Sequence, residues 1–227
     1  RFVAGLDGHA AASGDPSSVT AESVFRGVRL CVRRALNREL DGVTVAIQGV
    51  GHVGAFLADK LHAAGARLYI TDVNAEALKA VADRTGAMVV SPSEIFDVPA
   101  EVFAPCALGG ALNAETLPRL SARIVAGGAN NQLASREIGK ALFDRGVLYA
   151  PDYVINGGGI INVAGEIRAL DRGEAFDPAW VEARLARLMV TLEEVLDRSH
   201  QESRPTHEVA NQLASARIAG AAEKRAA

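Results

Sequence analysis

Two cysteines, Cys31 and Cys106, are all that the 227 residues hold, and aromatic residues make up only 5% of the chain. Two thiols are too few for a disulfide framework, and no Cys/His spacing of the zinc type occurs, so no metal site is expected and both cysteines read as reduced core thiols. No uninterrupted apolar run is long enough to cross a bilayer, and Arg1-Phe2-Val3-Ala4-Gly5-Leu6-Asp7 lacks a signal-peptide pattern. The chain also lacks a Lys/Arg block, and its net charge is −3. Nucleic acid and anionic membranes therefore have no electrostatic footprint here. A small-molecule partner and a cytoplasmic location are the expectations that remain. Apolar residues, at 49%, suffice for a buried core.

What is present is alternation. The first 18 residues, rich in Gly, Ala, Ser and Asp, read as a loop, and Thr20 as the N-cap of a helix running to about Leu40 and ended by Asp41-Gly42. Strands are then expected at about 43–48, 67–71, 88–90, 101–103, 123–126 and 147–149. Helices fall between them at about 53–64, 75–84 (capped by Asn74) and 135–145. This pattern is α/β: a doubly wound, Rossmann-type, mostly parallel sheet of about six strands with helices on both faces. After Asp152 only helices are expected, at 156–170, 178–198 and 206–223. The organisation so read is a loop or linker at 1–19, a dinucleotide-binding domain at 20–175 and a helical C-terminal segment at 176–227.

The most specific local signal is Gly49-Val50-Gly51-His52-Val53-Gly54, set between the apolar run 43–47 and a helix, with Asp72 at the end of the next apolar run. In such a loop the first glycine permits the tight turn, the second lets a pyrophosphate approach the backbone, and the third lets helix pack on strand. The helix N-terminus then faces the phosphates. Asp72 is placed to accept from the adenosine ribose hydroxyls and to repel a 2′-phosphate, which favours NAD over NADP. Arg67 and Arg84 keep the phosphate alternative open. His52 is expected to contribute only backbone, and the five histidines form no cluster and read as surface residues.

Three further segments stand out. Phe103-Ala104-Pro105-Cys106-Ala107-Leu108-Gly109-Gly110 and Gly127-Gly128-Ala129-Asn130-Asn131-Gln132 fall where later strands end, which is where a doubly wound sheet binds its ligand. Turns and caps favour the same residues. Cys106 has no histidine nearby in sequence to activate it as a nucleophile. Ala150 to Val163 contains three consecutive glycines at the start of an amphipathic helix, a close-approach site that also suits a hinge. Ile160 and Val163 share a face of that helix, and pattern alone favours the core over a ligand wall.

GVGHVG, FAPCALGG, GGANNQL and YAPDYVINGGGIINVAGE, in this order and spacing, resemble the nucleotide-binding part of the Glu/Leu/Phe/Val amino acid dehydrogenase superfamily, most nearly its leucine dehydrogenase branch. The resemblance runs from about Gly14 to the C-terminus. It implies reversible oxidative deamination of an L-amino acid to a 2-oxo acid and ammonia with NAD. By the resemblance, Thr20 bonds the nicotinamide carboxamide, and Gly49, Val50, Gly51, His52, Val53 and Gly54 hold the pyrophosphate. Asp72, with Val73 beside it, holds the adenosine ribose, Ala107 and Leu108 line the cofactor's path, and Ala129, Asn130 and Asn131 lie at its nicotinamide end. Asn131 also approaches the substrate, whose side chain meets Ile160 and Val163. That replaces the core reading of these two, and it favours leucine, valine or isoleucine over phenylalanine; glutamate would need a cation that neither residue supplies.

The chain departs from the superfamily in one respect. The catalytic lysines and aspartate belong to a preceding domain there, and Lys60, Lys79, Lys140 and Lys224 have no comparable setting. The expectation is a fragment of a homo-oligomeric enzyme, inactive alone; the alternative is a stand-alone NAD-binding or regulatory module.

Overall fold

The computed structural model describes residues 10–226, with the backbone alone for 222–226. Positions 1–9 of the expected N-terminal loop, with His9, lie outside the described residues, as does the Lys224 side chain. In chain order the elements are α1 (Ser17–Leu36), β1 (Thr44–Gln48), α2 (His52–Ala63), β2 (Arg67–Thr71), α3 (Ala75–Thr85), β3 (Met88–Val89), β4 (Val102–Pro105), β5 (Ile124–Val125), α4 (Arg136–Asp144), β6 (Leu148–Tyr149), α5 (Asp152–Ile155), α6 (Gly158–Arg172), α7 (Pro178–Glu202) and α8 (Thr206–Ala226).

All neighbouring strand pairs are parallel, and the strand order is β3-β2-β1-β4-β5-β6. This is the doubly wound order, whose direction of winding reverses between β1 and β4. Alternate residues explain how both faces are covered. Val45 and Ile47 of β1 join one buried cluster with Val28, Leu57 and Leu61, while Ala46 joins the other with Ile95, Phe103 and Leu142. A strand buried on both faces reads as a continuous apolar run, which is why Thr44-Val45-Ala46-Ile47 does not alternate. The C-terminal helices are not a separate layer. Leu192, Val195 and Leu196 of α7, and Val209, Ala210 and Leu213 of α8, pack into the first cluster.

Several boundaries differ from the sequence reading: both ends of α1, the end of α7 at Glu202 rather than Arg198, and the separate short helix α5 ahead of α6, which starts at Gly158 rather than Asn156. α1 begins three residues before Thr20, because Asp15 Oδ1 accepts the Ser17 N–H at 2.9 Å and Pro16, at φ −68°, is already set for a helix. Thr20 is therefore inside the first turn rather than the cap, with its hydroxyl donated to Pro16 O at 3.0 Å. The same helix ends at Leu36, not near Leu40. Asn37 adopts the left-handed conformation at φ 52° and donates its N–H to Arg33 O, a C-terminal stop that asparagine tolerates better than other non-glycine residues. Asn74 caps α3 as expected, accepting from Glu76 and Ala77 N–H at 3.1 Å each.

Candidate functional site

The three glycines of the β1–α2 turn are required for three different reasons. Gly49 has φ +95°, and a Cβ there would stand 2.7 Å from Ala107 Cβ. A Cβ on Gly54 would stand 2.0 Å from Gly49 O, so helix and strand approach as closely as the backbone allows. Gly51 is the exception, because a Cβ there would meet nothing within 4 Å. Its freedom is an empty space rather than a packing demand. That space lies at the N-terminus of α2, which has neither a side-chain cap nor an acidic residue in its first turn. Uncapped amides and the positive end of the helix dipole suit an anion, and the lack of a side chain at Gly51 lets one come close.

Asp72, just past β2, faces this turn. Its Oδ2 accepts the Val50 N–H at 2.6 Å and its Oδ1 accepts the Asn74 N–H at 2.8 Å, so one carboxylate ties the glycine turn to the start of α3. Beside it a cavity of about 270 Å³ is lined by Gly49, Asp72, Val73, Ala107 and Leu108, together with Gln48, Thr71 and Pro92. Val73 and Leu108 are 94% and 82% exposed. Apolar side chains held in water around a cavity are the surface an aromatic ring covers. Under them, Thr71 Oγ1 and Gln48 Oε1 are buried without a hydrogen-bond partner among the described residues. Sequence reasoning did not single out Gln48, Thr71 or Pro92. The first two are in register on neighbouring strands, which is legible only once strand pairing is known.

The loops after β4 and β5 are joined to each other. Gly110 N–H donates to Asn131 O at 2.7 Å and Leu112 N–H to Gln132 O at 3.0 Å. Gly109 and Gly127 have no room for a Cβ, which would stand 2.9 Å from Asn130 O and 2.3 Å from Pro105 O respectively. Gln132, fully buried, donates its Nε2 to Gly127 O at 2.8 Å and to Ala129 O at 3.0 Å. Asn156 donates to Asn130 Oδ1 at 2.7 Å, and the Asn131 N–H donates to the buried Asp152 carboxylate. Ala129 is buried, whereas Asn130 and Asn131 are exposed. Val53 of α2 lies against Gly128. The glycine turn, the Ala107-Leu108 segment and the Asn130-Asn131 turn are thus contiguous. Asn131 itself borders a second cavity, of about 250 Å³, with Tyr149, Asp152 and Tyr153.

The three consecutive glycines serve helix packing. A Cβ on Gly158 would stand 2.3 Å from Val19 O, and one on Gly159 would stand 2.5 Å from Thr20 Oγ1. α6 therefore approaches α1 at backbone contact, and Thr20 is held beside its N-terminus. Ile160 is 75% exposed, which overturns the core reading that pattern alone favoured; Val163 is partly buried. Neither borders the cavity that holds Asp72.

The remaining candidate side chains are accounted for by burial or by ion pairs. Burial pushes the Cys106 thiol up to about 11 and the Cys31 thiol up to about 12, so both stay protonated at neutral pH. His52 is exposed and pairs with Asp15 at 3.3 Å. His207 is 5% exposed, which corrects the expectation of five surface histidines. Its ring occupies the space that Gly139 leaves open on α4, and burial, aided by Arg136, lowers its pKa. Lys60, Lys79 and Lys140 pair on helix surfaces with Glu22, Asp83 and Asp144. No helix among the described residues is long and apolar enough to cross a membrane.

A sequence profile of the glutamate/leucine/phenylalanine/valine dehydrogenases matches residues 16–72 and 68–226. Leucine dehydrogenase of Bacillus cereus is 40% identical over 225 residues, which cover 99% of this chain and 60% of that protein. Valine dehydrogenase of Streptomyces albus is 37% identical, over 99% of this chain and 61% of its own length. The crystal structure of L-tryptophan dehydrogenase from Nostoc punctiforme superposes with a TM-score of 0.86 at 38% identity, covering 93% of this chain and 63% of that one. The chain spans about three fifths of the length of the curated relatives it matches.

Proposed function

This chain belongs to the glutamate/leucine/phenylalanine/valine dehydrogenase family, and from that premise we propose that it holds the dinucleotide of an NAD-dependent amino acid dehydrogenase. The observation that carries the reading is one glycine turn that borders two features: an uncapped helix N-terminus with empty space at Gly51, and, at Gly49, a cavity whose carboxylate is flanked by exposed apolar side chains.

In this reading the turn Gly49 to Gly54 takes the pyrophosphate, with Gly51, His52, Val53 and Gly54 supplying backbone amides rather than side chains, while the N–H groups of Gly49 and Val50, held by Thr71 O and the Asp72 carboxylate, fix the turn's shape. Asp72 keeps its loop contacts and uses its remaining lone pairs on the adenosine ribose, while Val73, Ala107 and Leu108 sandwich the adenine. The negative charge of Asp72 sets NAD above NADP. Ala129, Asn130 and Asn131 flank the nicotinamide end, and Thr20, fixed beside Gly159, offers its hydroxyl to the carboxamide. Bound NAD supplies the acceptor for the hydride that leaves the amino acid's Cα.

The substrate proposed is a branched-chain L-amino acid, or the 2-oxo acid in reverse, with Ile160 and Val163 as one apolar wall. The exposure of Ile160 supports a surface that a ligand covers, and leucine and valine dehydrogenases are among the relatives. Residues 20–175 are proposed as the dinucleotide-binding unit and 176–227 as its helical complement. Exposed Val190 and Ile218 on α7 and α8 support assembly with further copies of the chain. Each of the three lysines whose side chain is described is ion-paired at a helix surface, so the 227 residues alone are proposed to bind without appreciable turnover.

Calorimetric titration of the chain with NAD and NADP tests the cofactor reading: NAD binds at one site and more tightly, and tighter binding of NADP refutes the role of Asp72. Steady-state kinetics of the full-length gene product on leucine, valine, phenylalanine and glutamate tests the substrate class. Efficient turnover of phenylalanine or glutamate alone contradicts it.

A further inference from the structure

We propose that Asp152 is a positioning residue, which holds the Asn130-Asn131 turn in the shape that serves the nicotinamide end of the crevice. The inference rests on the dinucleotide reading above, and it adds a residue to which that reading gives no part.

Asn131 has φ 54°, in the left-handed region. That conformation costs an L-residue about 1–2 kcal/mol, less for asparagine, and persists only where the surroundings impose it. Here both sides of the residue are held. Its carbonyl accepts the Gly110 N–H at 2.7 Å, and its N–H donates to Asp152 Oδ2. The Asn131 side chain is exposed and makes no hydrogen bond among the described residues. The backbone is constrained while the side chain is left available.

The surroundings of Asp152 suit this task. It is 7% exposed, and its Oδ1 accepts the Tyr149 hydroxyl at 2.8 Å. Burial and the neighbouring carboxylate both push the Tyr149 phenol upward, so it stays a donor at any working pH. A buried carboxylate that accepts one O–H and one N–H makes charge-assisted bonds, roughly twice as strong as neutral ones. Asp152 opens α5, and four residues on, Asn156 donates to Asn130 Oδ1 and, at 3.3 Å, to Gly128 O. The first residue of α5 and the residue that follows its end therefore hold both asparagines of the turn.

The test compares NAD with ADP-ribose, which lacks only the nicotinamide ring, by calorimetry on the 227-residue chain. Asp152→Asn is expected to weaken NAD about three- to tenfold, the range of one lost hydrogen bond, while ADP-ribose changes less than twofold. Tyr149→Phe, which removes one donor from the carboxylate and is milder for folding, is expected to act in the same direction with a smaller effect. Asn131→Gly supplies the decisive background, because glycine takes the left-handed conformation without strain. There, Asp152→Asn is expected to have a much smaller effect on NAD than in the otherwise unchanged chain. Equal losses of NAD and ADP-ribose in both Asp152→Asn and Tyr149→Phe overturn the proposal, and so does an Asp152→Asn effect undiminished in the Asn131→Gly background. A wild-type chain that binds neither ligand refutes the dinucleotide reading itself.

Discussion

The Asp72 carboxylate accepts the Val50 N–H at 2.6 Å, although α2 and β2 separate the two residues by 22 positions. An acid at this place reads in sequence as a ribose ligand, yet it also braces the glycine turn. Replacement of Asp72 therefore acts on two things at once. Asp72→Asn retains a carbonyl for one N–H but loses the charge. NAD affinity is expected to fall about tenfold, and the preference for NAD over NADP to shrink by more than the affinity itself, because only the latter depends on repulsion of the 2′-phosphate. Paired titrations with the two dinucleotides measure both quantities, and an unchanged preference counts against charge as its cause.

Gly51 and Gly54 separate ligand approach from packing. A methyl at Gly51 meets no protein atom, so Gly51→Ala is expected to melt within a degree or two of wild type and yet bind NAD at least tenfold more weakly. A methyl at Gly54 stands 2.0 Å from Gly49 O, and Gly54→Ala is expected to lose about 1–3 kcal/mol of stability, the range for overpacking. Thermal melts and titrations of the two variants check this, and wild-type NAD affinity in folded Gly51→Ala rules out the approach role.

His207 predicts a pH dependence. Its folded pKa lies below the ordinary 6.5, through burial first and then Arg136, with Glu208 opposing. Between the folded value and about 6.5 the unfolded chain binds a proton that the folded chain does not, so stability falls as pH drops through that window and levels off below the folded value. Melting temperatures from pH 7.5 to 5.5 should fall in the wild type and fall less in His207→Gln. Parallel curves dismiss His207 as the source.

Much of this was legible in the residues, and what was not has a common cause. The α/β alternation, the six strands, the Asn74 cap and the distinct demands on Gly49 and Gly54 follow from local pattern, since each depends on neighbours a few positions away. The start of α1 was misread because Asp15 and Pro16 supply the cap that Thr20 appeared to offer. Its end was misread because Asn37 stops the helix by taking a conformation that glycine usually takes. The burial of His207 depends on a missing side chain at Gly139 on another helix. Likewise, Asp152 lies inside a motif whose glycines drew notice, but its work is done through Asn131, 21 residues away. Side chains that bond distant backbone leave no periodic trace.

Val163 offers a test of the proposed substrate wall. In the full-length gene product Val163→Ala is expected to raise the ratio of kcat/KM for phenylalanine over leucine by about tenfold, since one or two methyl groups in an apolar pocket discriminate on that scale. A ratio that does not move removes Val163 from the pocket.

Hydrogen exchange on the 227-residue chain with and without saturating NAD tests the central claim most directly. Binding in the proposed crevice slows exchange at 49–54, 71–73, 106–111 and 128–131, where backbone amides border the ligand or the loops that carry it. Absence of protection there, or protection confined to the arginine-lined groove between α1 and α7 at Arg26, Arg29, Arg33 and Arg34, contradicts it.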